Sequence, residues 1–199
     1  MDSRIIAGAL RTITTKPQEV STMADSDIVA MLERGGFRAD VAGSDFQRVV
    51  RGFAKSQAEG KGLLLSGSTG RGKTLAMRCL FPATPPPRRD CKWVDCYVEV
   101  QVGWLSDRDI LDWSPTLVLD DVGAERIESD YGVMREPIAD FFMALSRRKD
   151  SGKVCPRICA TTNLSSADMS KRYGDRMVSR LLDVVVPVVF TGSDKRGGQ

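Results

Sequence analysis

The amino-acid sequence predicts an α/β fold in which a mostly parallel sheet is covered by helices on both faces. From residue 62 onward, short continuous apolar runs alternate with segments of helical periodicity. Such a pattern is typical of buried parallel strands and the helices that connect them. The first apolar run, over residues 63–65, leads directly into a glycine-rich loop and a helix. This arrangement places a helix N-terminus where it can bind phosphate.

Two helices are predicted before this alternating region. The first can be capped by Ser26 or Asp25 and ends at the glycine pair at residues 35–36. The second has a stripe of apolar residues at helical spacing and ends before a glycine. Ser44 and Gln47 have the spacing of a capping box, so we expect them to satisfy the free backbone amides at the start of this second helix.

The later elements follow from apolar runs, helical spacing and turn residues. We predict a helix over residues 73–81, a proline-rich loop over 82–87, a strand over 92–99, a short helix over 107–113, a strand over 116–119, a helix whose first turn contains Pro137, a strand over 158–162, helices over 165–172 and 175–182, and a last strand over 184–190.

The chain is divided at residue 60 by this change of pattern. Residues 1–60 hold a loose arm (1–24) and the two early helices, and are the candidate partner-binding segment. Residues 61–199 form the α/β core. A chain of 199 residues with 42% apolar residues suits one globular core with a short appendage.

Composition excludes several kinds of chemistry. The chain has no histidine, so imidazole general-base chemistry and histidine metal sites are excluded. Its five cysteines are an odd number without the usual zinc spacing, so we expect reduced thiols rather than disulfides or a zinc site. The net charge of +3 permits nucleic-acid contact without arguing for it. No apolar run is long enough to span a membrane, and a cytoplasmic location is expected.

A complete phosphate-binding pattern follows the first buried strand. Its residues are Gly67, Ser68, Thr69, Gly70, Arg71, Gly72, Lys73 and Thr74. Glycines let successive backbone N–H groups point at phosphate oxygens, and the next helix adds its positive end. We expect Lys73 to reach the β- and γ-phosphates of ATP and the Thr74 hydroxyl to ligate Mg²⁺. The alternative is a glycine-rich turn without a ligand, which the flanking strand and helix argue against.

Two acids end the apolar strand over residues 116–119. Asp120 is the candidate second residue of the Mg²⁺ site, and Asp121 is the candidate group that orients or deprotonates the attacking water. An apolar run that ends in acids is a weak signal alone, since a solvated turn has the same pattern. Its position downstream of a phosphate loop favours the functional interpretation.

Three further polar residues are candidate catalytic groups. Asn163 follows the strand over residues 158–162, where its amide can contact the γ-phosphate or the water; its alternative role is to cap the next helix. Arg176 and Arg180 are four residues apart and share one face of a predicted helix. Arginine stabilises charge on a transferring phosphoryl group. Spacing alone leaves open the alternative that both are solvated surface charges.

Four segments in this order resemble the DnaC/IstB-type AAA+ ATPases, the family of replicative helicase loaders. They are GLLLSGSTGRGKT, LVLDDVGAE, ATTNLS and YGDRMVSRLLD. The resemblance covers residues 62–190, and its specific parts are the double aspartate followed by Gly and Glu and the Gly-x-Arg-x-x-Ser-Arg-Leu segment. It implies a P-loop NTPase fold of the AAA+ type: three α-β-α layers, five parallel strands and no helical lid domain.

The same resemblance implies a role for each candidate residue. The loop over residues 67–74 matches Walker A, Asp120 and Asp121 match Walker B, and Asn163 matches sensor 1. Arg180, with Arg176 beside it, matches the arginine-finger segment, which in this family acts on ATP held by a neighbouring subunit. Asp121 stands where most AAA+ proteins carry glutamate. Its side chain is one methylene shorter, so we expect slow hydrolysis that oligomerisation or DNA stimulates.

The function implied by the resemblance is that of an accessory ATPase of DNA replication. Such a protein binds ATP, Mg²⁺ and single-stranded DNA, contacts a replicative helicase through residues 1–60, and forms a homo-oligomer on ATP and DNA. Three alternatives stay open: an IstB-like transposition helper that binds duplex DNA and a transposase, a nucleotide-gated binding module with little turnover, and a small P-loop kinase. The order of Asn163 and the two arginines along the chain argues against the kinase.

Overall fold

The structure is a computed structural model that describes residues 22–83, 91–96, 115–126, 128–130 and 133–192. Its helices are α1 (Asp25–Arg34), α2 (Ala39–Ala42), α3 (Ser44–Ala58), α4 (Lys73–Leu80), α5 (Pro137–Asp150), α6 (Ser166–Tyr173) and α7 (Asp175–Val184). Its strands are β1 (Gly62–Ser66), β2 (Cys91–Asp95), β3 (Thr116–Val122), β4 (Glu128–Asp130), β5 (Val133–Arg135), β6 (Arg157–Thr162) and β7 (Val185–Val189).

Five strands form one parallel sheet in the order β2-β3-β6-β1-β7. The strand that precedes the phosphate loop, β1, therefore lies between β6 and β7, and the sheet with its flanking helices is a P-loop NTPase fold. This confirms the predicted fold class. No helix follows β7 within the residues described. The antiparallel pair of β4 and β5 was not predicted, because three-residue strands are too short to show an alternating pattern.

Alternate side chains of the central strands pack into two hydrophobic layers. Leu64 of β1 points to the layer beneath α5, α6 and α7, whereas Leu63 and Leu65 point to the layer beneath α1, α3 and α4. On β3, Leu117 and Val118 divide in the same way. Because successive side chains of a strand face opposite sides, a continuous apolar run buries both faces of the sheet. The apolar strands predicted from sequence are explained by this burial.

The helices before residue 60 belong to one of these layers. Phe46, Val49 and Phe53 of α3 are buried beside the side chains of α4 and β7. The approach of α3 to β7 is close, since a Cβ atom on Gly52 would lie 2.1 Å from a methyl carbon of Val188. The early helices thus cover the sheet together with the helix of the phosphate loop.

Two predicted helix caps are wrong. The N-cap of α1 is Ala24, so neither Ser26 nor Asp25 caps that helix. The capping box predicted for Ser44 and Gln47 is absent: Ser44 is already helical, and the N-cap is Gly43 with a φ of 59°. The short helix α2 ends immediately before this glycine, and the reversal between the two helices requires a left-handed residue there.

A capping box does exist at the start of α6. The Ser165 hydroxyl accepts a hydrogen bond from the Asp168 amide at 3.1 Å, and the Asp168 carboxylate accepts one from the Ser165 amide at 3.4 Å. The predicted helix over residues 165–172 therefore begins where expected. Asn163 does not cap it, so that alternative role is wrong.

Several predictions lie outside the described residues. They are the loose arm as far as residue 21, the proline-rich loop from residue 84, the end of the strand predicted over 92–99 and the helix predicted over 107–113. The five cysteines are free thiols, and burial raises the pKa of the Cys159 thiol to about 12, so this thiol stays neutral. Among the described helices, none has the length and apolar character needed to cross a bilayer.

Candidate active site

The phosphate loop connects the end of β1 to the start of α4 by a path that only glycines allow at two positions. Gly67 has a φ of 137°, and a Cβ atom there would lie 2.7 Å from the carbonyl oxygen of Phe190. Gly72 has a φ of 83° at the N-cap of α4. Both glycines adopt backbone conformations that other residues rarely reach. The loop can therefore fold against the end of β7 and present its backbone toward the start of α4.

A pocket of about 250 Å³ opens at this loop. Eight residues line it: Thr69, Gly70, Arg71, Gly72, Lys73, Thr74, Asp121 and Asn163. All of them are residues that the sequence analysis selected. They come from the loop itself and from the carboxyl ends of β3 and β6, which are the places where open α/β sheets bind ligands.

Lys73 is the centre of the hydrogen bonds in the pocket. Its ammonium group donates to the carbonyl oxygens of Gly67 and Ser68 and to the side-chain oxygen of Asn163, each at 2.8 Å. The side chain is buried. These three acceptors hold the buried ammonium group at the pocket, where it can contact a phosphate group.

Asn163 connects Lys73 to the acidic strand end. Its side-chain nitrogen donates to Asp121 at 3.3 Å while its oxygen accepts from Lys73. The amide therefore stands between the cation expected to contact the γ-phosphate and the carboxylate expected to contact water. A single side chain, that of Asn163, is thus hydrogen-bonded to both groups.

Asp120 lies beneath the pocket, beside the first residues of α4. One of its carboxylate oxygens accepts hydrogen bonds from the hydroxyls of Thr74 at 3.0 Å and Thr161 at 2.6 Å. A hydroxyl has one proton and two lone pairs. Because the Thr74 proton is directed to Asp120, the lone pairs of Thr74 remain for a metal ion. Hydroxyl and carboxylate oxygens are the hard donors that Mg²⁺ prefers, so the pair fits this metal.

The backbone changes direction between the two acids. The register of β3 against β6 shifts between Leu119 and Val122, and Asp121 has a φ of 57°. Aspartate is one of the few non-glycine residues that occupy this region readily. Bulges of this kind turn side chains toward active sites. Here the irregularity lets Asp120 contact Thr74 while Asp121 lines the pocket.

The three candidate arginines differ in their position relative to the pocket. Arg71 lines the pocket but donates from one guanidinium nitrogen to the carbonyl oxygen of Phe190 at 3.0 Å. Neither Arg176 nor Arg180 is among the described residues that line the pocket. Arg180 hydrogen-bonds the Ser146 hydroxyl and lies 3.9 Å from the Asp150 carboxylate, both on α5, while Arg176 is exposed.

A buried polar network beside the acidic strand end was not predicted from the sequence. The Glu125 carboxylate is fully buried and accepts hydrogen bonds from the Gly123 amide at 2.7 Å and from the Tyr173 hydroxyl. Arg172 lies 3.2 Å from Glu125 and 3.3 Å from Glu136, and also donates to two carbonyls of the loop after β3. The network fixes this loop to the end of α6. Glu125, the glutamate of the LVLDDVGAE segment, is the residue from which this network could have been predicted.

Replacing Tyr173 with Phe is expected to lower the free energy of unfolding by about 1–3 kcal/mol, because a buried carboxylate loses a donor. Burial and the nearby Glu125 raise the pKa of Tyr173, so the hydroxyl keeps its proton at neutral pH. Urea unfolding followed by circular dichroism measures the loss. Glu136→Gln, at the partly exposed end of the network, is the control and should cost less. Equal costs would contradict this account.

Comparisons with known proteins gave structural similarities only. Neither the protein-family models nor the curated proteins gave a match. Among solved structures, the DnaC helicase loader is 23% identical, with 74% of this chain and 91% of that chain covered and a TM-score of 0.48. DnaI is 20% identical, with 87% and 94% covered and a TM-score of 0.48. AMPPCP-bound DnaA from Aquifex aeolicus is 17% identical, with 76% and 47% covered and a TM-score of 0.47.

Proposed function

We propose that this chain is an ATPase of the DnaC/IstB type that serves as an accessory protein of DNA replication, in the manner of a helicase loader. The observation that carries the proposal is the meeting of three chain segments at one pocket. Lys73 of the phosphate loop, Asp121 from the end of β3 and Asn163 from the end of β6 are linked by hydrogen bonds, with Thr74 and Asp120 directly bonded beside them. Three of the four sequence segments that resemble the family supply these groups, which makes chance assembly a poor explanation.

The residues of the pocket divide the work of phosphoryl transfer. The backbone N–H groups of the loop and the N-terminus of α4 bind the phosphates of ATP, and the Lys73 ammonium contacts the outer phosphates. Thr74 and Asp120 would hold Mg²⁺, which supplies charge neutralisation to the phosphates. Asp121 orients the attacking water and accepts its proton. Asn163 hydrogen-bonds both the Asp121 carboxylate and the Lys73 ammonium and so fixes their relative positions.

Among the residues that the structure describes, Arg71 and Lys73 are the cationic side chains that line the pocket. Arg180 contacts α5 of its own chain and does not line this pocket, so we infer that it acts on the nucleotide of a neighbouring subunit. We therefore propose a homo-oligomer, formed on ATP and single-stranded DNA, in which Arg180, with Arg176 beside it, completes the neighbouring site. The replicative helicase would contact residues 1–60.

The central test measures phosphate release by the full chain with and without single-stranded DNA. Release that single-stranded DNA stimulates, and that Lys73→Ala abolishes, supports the ATPase. Rates equal to those of Lys73→Ala in every condition would instead favour the nucleotide-gated binding module, an alternative that the short Asp121 side chain motivates. Pull-down with a replicative hexameric helicase and with a transposase, each in ATP and in ADP, separates helicase loading from the transposition role.

Arg180→Ala is expected to leave ATP affinity within about threefold of the wild type and to lower DNA-stimulated hydrolysis about 10³-fold, because the arginine acts on the transition-state charge of a neighbouring site. Phosphate release and fluorescent-nucleotide binding measure the two effects. Arg78→Ala, which removes an exposed arginine of α4, is the control.

Mixing two inactive variants tests the shared site directly. A Lys73→Ala subunit still presents Arg180, and an Arg180→Ala subunit still binds ATP, so some interfaces of the mixture contain both groups. We expect the mixture to recover hydrolysis that neither variant has alone. A fully active Arg180→Ala variant, or a mixture that stays inactive, would count against the shared site.

A further inference from the structure

We propose that Thr161 is a positioning residue that fixes both acidic side chains of the active site. The inference rests on the proposed function and adds to it a residue that neither the motifs nor the comparisons assign. Thr161 is fully buried in β6, two residues before Asn163, and its side chain faces β3 where the acids leave the sheet.

The hydroxyl of Thr161 makes one contact with each acid. It donates to a carboxylate oxygen of Asp120 at 2.6 Å, and it accepts from the backbone amide of Asp121 at 2.9 Å. One hydroxyl has a single proton and can also accept, so both contacts can be present at once. The short distance to Asp120 is that expected for a hydroxyl bonded to a carboxylate.

The contact with Asp121 explains how the break in β3 is stabilised. Regular pairing of β3 with β6 stops after Leu119 and resumes at Val122, so the Asp121 amide has no ladder position between them. The Thr161 hydroxyl accepts that amide instead. A buried amide without an acceptor costs free energy, and this contact removes that cost while Asp121 holds its φ of 57°.

The contact with Asp120 fixes the direction of a carboxylate that we assign to Mg²⁺. Thr74 and Thr161 approach the same oxygen of Asp120 from two elements, α4 and β6. Two hydroxyl donors hold the carboxylate in one orientation. Partners that orient a metal ligand typically contribute 10–100-fold to metal affinity. Loss of the Thr161 hydroxyl should therefore weaken Mg²⁺ binding, whereas loss of a hydroxyl of β6 that does not contact the acids should not.

The next residue of the strand provides a matched control. Thr162 is also fully buried in β6, and its hydroxyl also makes one donated and one accepted bond: to the Val122 carbonyl at 2.6 Å and from the Leu164 amide at 3.1 Å. Neither partner is an acidic side chain of the site. Thr161→Val and Thr162→Val thus each remove one donated and one accepted hydrogen bond from adjacent positions.

The experiment titrates MgCl₂ into the full chain with a fluorescent ADP analogue and measures the Mg²⁺ concentration that gives half of the Mg²⁺-dependent binding. Urea unfolding of each variant measures stability. We expect Thr161→Val to raise that concentration about tenfold or more. Thr162→Val and Thr161→Ser, which keeps the hydroxyl, should stay within about threefold of the wild type. Thr161→Val and Thr162→Val should both lower the urea concentration at the midpoint of unfolding, since each loses two buried hydrogen bonds.

Each outcome bears on the proposal. A Mg²⁺ dependence unchanged in Thr161→Val, or equally shifted in Thr161→Val and Thr162→Val, would overturn it and leave Thr161 a structural residue. If Thr161→Val does not fold, Thr161→Cys replaces it, because a thiol is a weaker donor than a hydroxyl. Thr161→Cys should raise the Mg²⁺ concentration for half of the binding above the values of the wild type and Thr161→Ser, without abolishing the Mg²⁺ dependence. No rise in that concentration would overturn the proposal. A wild type that binds no nucleotide would instead refute the proposed function.

Discussion

Lys73→Ala is expected to lower the affinity for ATP by at least about 100-fold. Charge-assisted hydrogen bonds contribute about 1.5–3 kcal/mol each, and Lys73 is expected to make two of them with the outer phosphates. Two such bonds correspond to roughly a 100-fold change in the dissociation constant, since about 1.4 kcal/mol is tenfold. The substitution also removes the donor to the carbonyls of Gly67 and Ser68, so the loop loses internal support.

Isothermal titration with a non-hydrolysable ATP analogue measures this change. Lys171→Ala is the control, because Lys171 is an exposed lysine of α6 outside the pocket. Lys73→Met separates charge from packing, since it keeps a long side chain and removes the ammonium. An affinity that Lys73→Ala leaves within a few-fold of the wild type would remove the basis of the nucleotide site.

The second large effect concerns turnover. Asp121→Asn should retain ATP affinity within about threefold and lower the rate of hydrolysis by about 10²–10⁴-fold, the range typical of a lost general base. Asparagine suits the test for two reasons. It keeps a side-chain oxygen for the amide of Asn163, and it tolerates the φ of 57° at this position.

Single-turnover quenched-flow, with ATP prebound, counts the phosphate formed on the enzyme and so measures the chemical step apart from product release. Asp120→Asn provides the comparison: it should lose Mg²⁺-dependent binding, whereas Asp121→Asn should keep it. If Asp121→Asn hydrolyses ATP at the wild-type rate, Asp121 is not the base, and the assignment of the two acids must be revised.

The phosphate loop and its neighbours were predictable because their signals are local. A buried apolar run, a glycine-rich loop and a helix start lie within the residues around Lys73, and backbone geometry follows from their order. The acidic end of β3 and Asn163 at the end of β6 were also predictable. Parallel strands bring their carboxyl ends to one edge of the sheet, so residues distant in sequence meet there.

Features that depend on the position of another helix or strand were not predictable. The capping box expected at Ser44 failed because α2, too short to show periodicity, places Gly43 at the helix start. The spacing of Arg176 and Arg180 indicated a shared helix face but gave no sign of the contact between Arg180 and α5. Thr161 reads as an ordinary strand residue until the register shift in β3 places it opposite the two acids.

The residues that follow β7 contact both the phosphate loop and α3. Asp45, a buried residue in the first turn of α3, accepts the backbone amides of Thr191 and Gly192 at 3.0 and 3.1 Å. Phe190, immediately before them, accepts from Arg71 and lies against Gly67. Amide hydrogen exchange should therefore slow in α3 and in the loop together when nucleotide is added. A partner that tilts α3 would alter nucleotide release without touching the nucleotide.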